Sequence, residues 1–170
     1  IGVLAILGGH FVGLLTPVEI WHLLGVSAPF KQAAAMGLGG VFGAVCLVGL
    51  LILIRRRLTH PRIRATSSRM DITILFLLLA QLLLGLLSIF VSAGHMDGGE
   101  MLKMMSWAQA IVTFDGARAA ASMVGVHWIY KLHITLGMTL FLVFPFSRLV
   151  HVWSVPLGYL RRSYQIVRAR

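Results

Sequence analysis

Residues 133–151 read HITLGMTLFLVFPFSRLVH, an apolar segment with a histidine at each end. His133 and His151 are eighteen residues apart, which is five turns of an α-helix, so a continuous helix carries both imidazoles on one side. At about 1.5 Å per residue they lie ~27 Å apart, close to the thickness of a bilayer's hydrocarbon core. The spacing is compatible with two interpretations: a haem iron near each membrane face, or two histidines that extend to opposite interfaces. The spacing alone does not decide between these interpretations.

The composition defines the class of protein. Of the 170 residues 58% are apolar and the mean hydropathy is +0.90, which predicts an all-α integral membrane helical bundle, with residues 1–170 forming a single membrane-embedded domain. The formal net charge of +10 sits beside long apolar runs, a pattern of membrane topology and contact with lipid, and we expect no nucleic-acid partner. The single cysteine, Cys46, excludes an internal disulfide and an Fe–S cluster ligated by this chain alone.

Apolar runs predict about four membrane segments, roughly residues 1–15, 33–54, 72–91 and 126–152. The first is too short to cross a bilayer alone. It opens at Ile1 inside an apolar run, so we expect the chain to be truncated at its N-terminus. Pro145 predicts a kink in the last segment.

Arginine counts predict the orientation, because cytoplasmic connections are rich in basic residues. The connection between the second and third segments and the C-terminal tail are therefore expected in the cytoplasm, and residues 16–32 and 93–125 outside. In the outer connection, apolar side chains recur every three or four residues from Met101 to Val112, which predicts a short helix on the membrane surface. The arginines are Arg55, Arg56, Arg57, Arg62, Arg64, Arg69, Arg161, Arg162, Arg168 and Arg170.

The predicted topology gives His10 and His133 similar depths on different helices, so they could ligate one iron from opposite sides. His151 has no partner at its depth within this chain. Gly9, beside His10, and Gly137, one turn from His133, could leave room for a flat macrocycle; close helix packing explains the same glycines.

Two cations near these histidines are further candidates. Arg148, one turn before His151, could pair with a haem propionate or with a lipid phosphate. Lys31, near the level of His10, could donate a hydrogen bond to a quinone oxygen, or it could be an ordinary interfacial lysine.

Three strings carry a family resemblance: GGHFVGLLTP at 8–17, HMDGGEMLKMMSWAQAIVTF at 95–114 and LHITLGMTLFLVFPFSRLVHVWSVPLGYLRRSYQIVRAR at 132–170. They resemble the membrane cytochrome b (gamma) subunit of respiratory nitrate reductase, and the resemblance covers essentially the whole chain in order. It implies a five-helix membrane protein with two b haems, of which this chain lacks the first helix and the start of the second.

The resemblance also implies roles for single residues. His10 and His133 match the ligands of the distal haem, near the outer face, and His151 matches one ligand of the proximal haem, whose other ligand would precede Ile1. Lys31, followed by Gln32, matches the lysine of a Lys-Gln pair at the family's quinol site near the distal haem, although the connection before it differs by one residue in length. Gly9 lies beside that site.

The implied function is oxidation of menaquinol or ubiquinol at the outer face of a bacterial inner membrane. Electrons then pass through both haems to an Fe–S subunit and to a cytoplasmic molybdenum subunit, which reduces nitrate. Alternatives are a cytochrome b anchor of another membrane oxidoreductase, such as formate dehydrogenase, a non-redox membrane scaffold, and a polybasic lipid-binding module.

Overall fold

The computed structural model describes the backbone of residues 1–152 and the side chains of residues 1–150. Every regular element in this part of the chain is helical, which confirms the predicted all-α class. Two short 3-10 segments, Phe144–Phe146 and Arg148–Val152, follow the last α-helix. The α-helices are α1 (Gly2–Leu15), α2 (Val18–Leu23), α3 (Ala28–Thr59), α4 (Pro61–Ala65), α5 (Arg69–Ala93), α6 (Gly99–Val112), α7 (Gly116–Ser122) and α8 (Trp128–Val143).

Three helical stretches in the described residues are long and apolar enough to cross a membrane: Ala28–Thr59, Arg69–Ala93 and Trp128–Phe146. The shorter α1 is also apolar. Large apolar side chains such as Leu38, Phe90 and Phe141 are exposed on the bundle surface, as expected for helices that face lipid. The molecule is therefore a multi-pass membrane helical bundle.

The α3 and α5 helices extend past their apolar runs because polar side chains cap their first turns. The Ser27 hydroxyl accepts a hydrogen bond from the Phe30 amide at 3.4 Å before α3. At α5, Ser68 and Asp71 form a reciprocal capping box, with bonds of 3.1 and 2.9 Å. These caps explain why α3 and α5 begin before the predicted segments 33–54 and 72–91; the two helices also end later than those segments, at Thr59 and Ala93.

The prediction of one helix from His133 to His151 is wrong, because α8 ends at Val143. Pro145 has no N–H to donate to the carbonyl of Phe141, and it lies in a 3-10 turn. Ser147 then adopts an extended conformation, with φ −116° and ψ 167°. The kink expected at Pro145 is therefore a break, and the five-turn spacing does not relate the two histidines.

The long helices pack in the order α1, α3, α5 and α8. The α3 helix packs against both α1 and α5, and α5 packs against α8. At Gly43 of α3 a Cβ atom would lie 2.6 Å from Leu86 Cδ2 of α5, so glycine allows this close approach.

The predicted helix at 101–112 is confirmed as part of α6, which lies against α1 and α3 and buries Met105, Ala108 and Ala110. We call the end of the bundle with α2, α6 and α7 the α6 end, and the opposite end the α4 end.

Candidate functional site

The structure brings together His10 of α1 and His133 of α8. Their ring centroids are 6.2 Å apart and their planes are tilted by 37°. A metal–imidazole bond is about 2 Å long, so two imidazoles on opposite sides of one metal ion place their centroids roughly 6 Å apart. The observed separation therefore suits one metal ion shared by both rings.

The hydrogen bond of His10 fixes which of its nitrogens is available. Nδ1 lies 2.8 Å from the carbonyl oxygen of Ile6, one turn earlier in α1. A carbonyl oxygen only accepts, so Nδ1 donates and Nε2 keeps the lone pair that a metal requires. A backbone carbonyl on the far nitrogen is the usual way to orient a metal-binding histidine.

His133 is half-buried against α5. Its Nε2 is 3.4 Å from Nε2 of Gln81, whose amide can only donate there, and its Nδ1 is buried without a hydrogen-bond partner among the described residues. At Gly85 a Cβ atom would lie 3.1 Å from Cε1 of His133, so the absence of a side chain there makes room for the imidazole. Neither Gln81 nor Gly85 is predicted as a site residue from the sequence, although Gln81 is a polar interruption of an otherwise apolar run.

The glycines near the histidine pair differ in what surrounds them. A Cβ atom added at Gly9 or Gly13 would meet nothing within 4 Å, so this face of α1 is open beside His10. At Gly137 a Cβ atom would lie 3.1 Å from Gln81 Nε2, so Gly137 serves the packing of α8 on α5 in this structure. The ring separation, the free lone pair on His10 and the open space along α1 fit a haem held by these two histidines, on condition that the Gln81 amide, 3.4 Å from His133 Nε2, gives up that nitrogen to the iron.

Lys31 is 7% exposed, which rules out the ordinary interfacial lysine that the sequence left open. Its Nζ donates to Gly13 O at 2.5 Å and to Met105 Sδ at 2.9 Å, and lies 4.5 Å from the ring centroid of Trp21. The Gly13 carbonyl needs a donor from outside α1, because the residue four positions later, Pro17, has no N–H. The ammonium thus caps the C-terminus of α1, one turn beyond His10.

Gln109 of α6 completes the same cap. Its Nε2 donates to the carbonyls of Leu14 and Thr16 at 3.2 and 3.3 Å. The end of the histidine-bearing helix is thus held by one side chain from α3 and one from α6.

The space beside Lys31 is small. The cavity there, bounded by Trp21, His22, Lys31 and Met105 among others, has a volume of about 10 Å³. That volume accommodates about one water molecule, so the ring of a quinol does not fit beside Lys31 unless the neighbouring side chains move.

Gln32 is 1% exposed and organises the turn between α5 and α6. Its Nε2 donates to Ser92 O, Ser92 Oγ and His95 O at 3.0, 2.8 and 2.8 Å, and its Oε1 accepts from the Gly98 amide at 2.8 Å. In the sequence Gln32 stands out only as the neighbour of Lys31, and nothing local to Gln32 indicates that it reaches this turn.

Arg148 pairs with a carboxylate at the α4 end. Its Nε lies 3.4 Å from Asp71 Oδ1, while Arg57 Nη1 lies 3.3 Å from Asp71 Oδ2. The Asp71 side chain is 7% exposed, whereas that of Arg148 is 64% exposed. The predicted partners of Arg148, a propionate or a lipid phosphate, stay predictions.

The side chain of His151 lies outside the described residues, so the second predicted haem site is not described. What the structure defines is a membrane helical bundle with paired histidines between its first and last described α-helices.

Comparisons with known proteins identify the family. The model of the nitrate reductase gamma subunit family matches residues 1–170. The chain is 54% identical over 173 residues to the respiratory nitrate reductase 1 gamma chain of Escherichia coli K12, covering 100% of this chain and 75% of that one. It is 39% identical over 169 residues to the nitrate reductase gamma chain of Bacillus subtilis 168, covering 99% and 75%. The chain belongs to the nitrate reductase gamma subunit family and is a subunit of an oxidoreductase complex.

A more distant relative is named as a subunit of a different oxidoreductase. Over 117 residues the chain is 28% identical to the Hdr-like menaquinol oxidoreductase cytochrome b-like subunit of Archaeoglobus profundus, which covers 67% of this chain and 33% of that one.

Proposed function

We propose that this chain is the quinol-oxidising dihaem cytochrome b subunit of a membrane-bound respiratory nitrate reductase. Quinol is oxidised near His10 and His133 at the α6 end, which faces outward. Electrons pass inward to an Fe–S subunit and a molybdenum subunit on the cytoplasmic side, where nitrate is reduced. Protons released outside and electrons moving inward both contribute to the membrane potential.

The observation that carries the proposal is the His10–His133 pair, with ring centroids 6.2 Å apart on two different helices. If haem binds here, His10 and His133 would hold its iron, and the haem would supply a one-electron carrier. His10 is oriented for this role by the Ile6 carbonyl. A second haem would use His151 and a ligand outside residues 1–170.

Lys31 is the proposed quinol-binding residue. It belongs to α3, and its ammonium donates to the Gly13 carbonyl of α1, one turn beyond His10. Because the cavity beside Lys31 holds about 10 Å³, binding of a quinol ring there requires side chains around it to move. Since a lysine has three donors, Lys31 can exchange one of its present partners for a quinol oxygen and keep the others. Its positive charge favours the loss of a proton from that oxygen.

The test uses the full-length subunit assembled with its partners. His10→Ala and His133→Ala should each remove the same b-type signal from the reduced-minus-oxidised spectrum, and His60→Ala is the matched control, because His60 is exposed in the arginine-rich connection. Loss of two different haem signals, or of none, would contradict the shared site.

The relative named as a menaquinol oxidoreductase subunit favours one second candidate, the cytochrome b anchor of a different reductase. The two candidates share the haem and quinol chemistry and differ in their soluble partners. Mass spectrometry of the subunits that co-purify with this chain separates them.

A further inference from the structure

A second, larger cleft lies at the α6 end, apart from the space beside Lys31. Its volume is about 190 Å³, against about 10 Å³ beside Lys31, so it has room for several water molecules. Four of its six lining residues have titratable side chains that can hydrogen-bond to this water, while most of the exposed wall is apolar. The lining residues are Val91, His95, Glu100, Gly125, His127 and Tyr130.

The cleft begins one helical turn from the histidine pair. Tyr130 precedes His133 by three residues on α8, so the two side chains share a face of that helix. The Tyr130 hydroxyl donates to Ser88 O of α5 at 3.3 Å, which holds the phenol between α5 and α8. The cleft therefore ends at Tyr130, one turn of α8 from His133, and the exposed His95 and His127 line it at the α6 end.

Glu100 is the acid inside the cleft. Its Oε1 accepts a hydrogen bond from Lys103 Nζ at 3.1 Å, and its side chain is 22% exposed. Its Oε2 is buried and has no hydrogen-bond partner among residues 1–150. A buried carboxylate oxygen without a protein partner is normally hydrogen-bonded to water, which the cleft has room to hold.

Two exposed histidines, His95 and His127, line the cleft. The Nδ1 of His127 accepts a hydrogen bond from the Ile129 amide at 3.3 Å, which leaves Nε2 for water. His95 belongs to the turn that Gln32 holds through the His95 carbonyl. The titratable or charged groups near Glu100 are Lys103 on α6, Tyr130 on α8, His127 at the N-cap of α8, and His95 and Asp97 in the turn before α6.

A metal site is a poor alternative. In the described part of the chain no three His, Cys, Asp or Glu side chains are placed to hold a metal ion together. Asp97, the nearest other carboxylate in sequence, instead accepts from the Gly99 amide at 3.0 Å.

We propose that this cleft is the hydrated exit for the protons of quinol oxidation, with Glu100 as the group that receives them. The inference rests on the proposed function. Oxidation of one quinol yields one quinone, two electrons and two protons. The electrons go to the haem, and the protons enter the cleft. The Glu100 carboxylate takes one proton at a time and passes it to cleft water and to His95 or His127, and no group of the cleft is oxidised or reduced.

The test is Glu100→Gln in the full-length subunit, in its complex, reconstituted in vesicles with a pH-sensitive dye on the side of the α6 end. With a water-soluble quinol as donor, we expect nitrate reduction and proton release to slow by about tenfold or more, since positioned acid–base groups contribute 10²–10⁴-fold. Added acetate, a diffusible proton carrier, should restore part of the rate. The haem spectrum and nitrate reduction driven by a viologen dye should be unchanged.

Two variants serve as controls. Glu19→Gln makes the same charge change on the exposed surface of α2, away from the cleft, and should retain the wild-type rate. Lys103→Gln removes the ion pair but leaves the carboxylate, and should also retain it.

A wild-type rate and proton release in Glu100→Gln, or an equal loss in Lys103→Gln, would overturn the proton exit and leave the proposed function standing. Failure of the wild-type complex to oxidise quinol would overturn both.

Discussion

The Gln32 side chain accepts a hydrogen bond from the Gly98 amide at 2.8 Å and so ties the start of α3 to the turn before α6. Gly98 has φ +82°, and a Cβ atom there would lie 2.6 Å from Ala28 Cβ and 2.8 Å from the Ala28 carbonyl carbon. The turn therefore approaches the α3 backbone as closely as glycine permits. Lys31 and Glu100 flank this contact in sequence. The positions of the proposed quinol-binding residue and the proposed proton-exit residue therefore both depend on the contact between the Gly98 turn and the start of α3.

We expect Gly98→Ala to destabilise the protein strongly. The left-handed conformation costs a non-glycine residue about 1–2 kcal/mol, and overlap with the α3 backbone adds about 1–3 kcal/mol. The measurement is the midpoint of thermal unfolding in detergent. Gly94→Ala is the matched control, because Gly94 has φ −74° and its added Cβ would be 3.4 Å from Val91 O. Equal unfolding midpoints for the two variants would contradict the close contact between Gly98 and the α3 backbone.

Gly85→Ala should perturb the histidine pair without abolishing the fold. Its added Cβ would lie 3.1 Å from His133 Cε1, so the imidazole must shift by a few tenths of an ångström. We expect a shifted absorption maximum or potential of the haem that is lost in His10→Ala. Gly40→Ala on α3, whose Cβ would be 3.8 Å from Ile89 Cδ1, should leave that haem unchanged. The same shift in both variants would point to general loosening of the bundle.

The spanning helices could be predicted from sequence because a long apolar run is a strong local signal. Their first residues could not, because Ser27 before α3 and the Ser68–Asp71 capping box at α5 start each helix ahead of its apolar run. The His133–His151 relationship failed for a similarly local reason: the expected kink at Pro145 became a break, with Ser147 extended after it.

The candidate site was predictable only where depth in the membrane was informative. Topology gave His10 and His133 the same level, and the structure brings their rings together. The buried Lys31 ammonium donates to the Gly13 carbonyl, which Pro17 leaves without a backbone donor. The buried Gln32 side chain bonds to a turn more than sixty positions away in the sequence. Such contacts leave no periodic pattern in the sequence.

Asp71→Asn should weaken the α4 end, because it removes the charge that faces both Arg57 and Arg148 at 3.3 and 3.4 Å. We expect a loss of about 1–2 kcal/mol, since Asp71 is buried but its partners are partly exposed and screened. Thermal unfolding in detergent at low salt measures it. Arg148→Gln should cost less than about 1 kcal/mol, because the Arg148 side chain is 64% exposed and Arg57 still faces Asp71. A larger loss in Arg148→Gln would mean that Arg148 has a further partner.

Lys31→Met should abolish quinol-dependent nitrate reduction while the haem spectrum is retained, because it removes the proposed donor to the quinol oxygen. The same change leaves the Gly13 carbonyl without its donor, which costs about 1–3 kcal/mol in stability. Gln109→Leu separates the two effects, since it uncaps Leu14 and Thr16 at the same end of α1 but keeps the ammonium. We therefore expect both variants to unfold at lower temperature and only Lys31→Met to lose the quinol-dependent rate, with the viologen-dependent rate intact in both. An equal fall of the quinol-dependent rate in both variants would mean that Lys31 acts only by holding α1, and with it His10, in place.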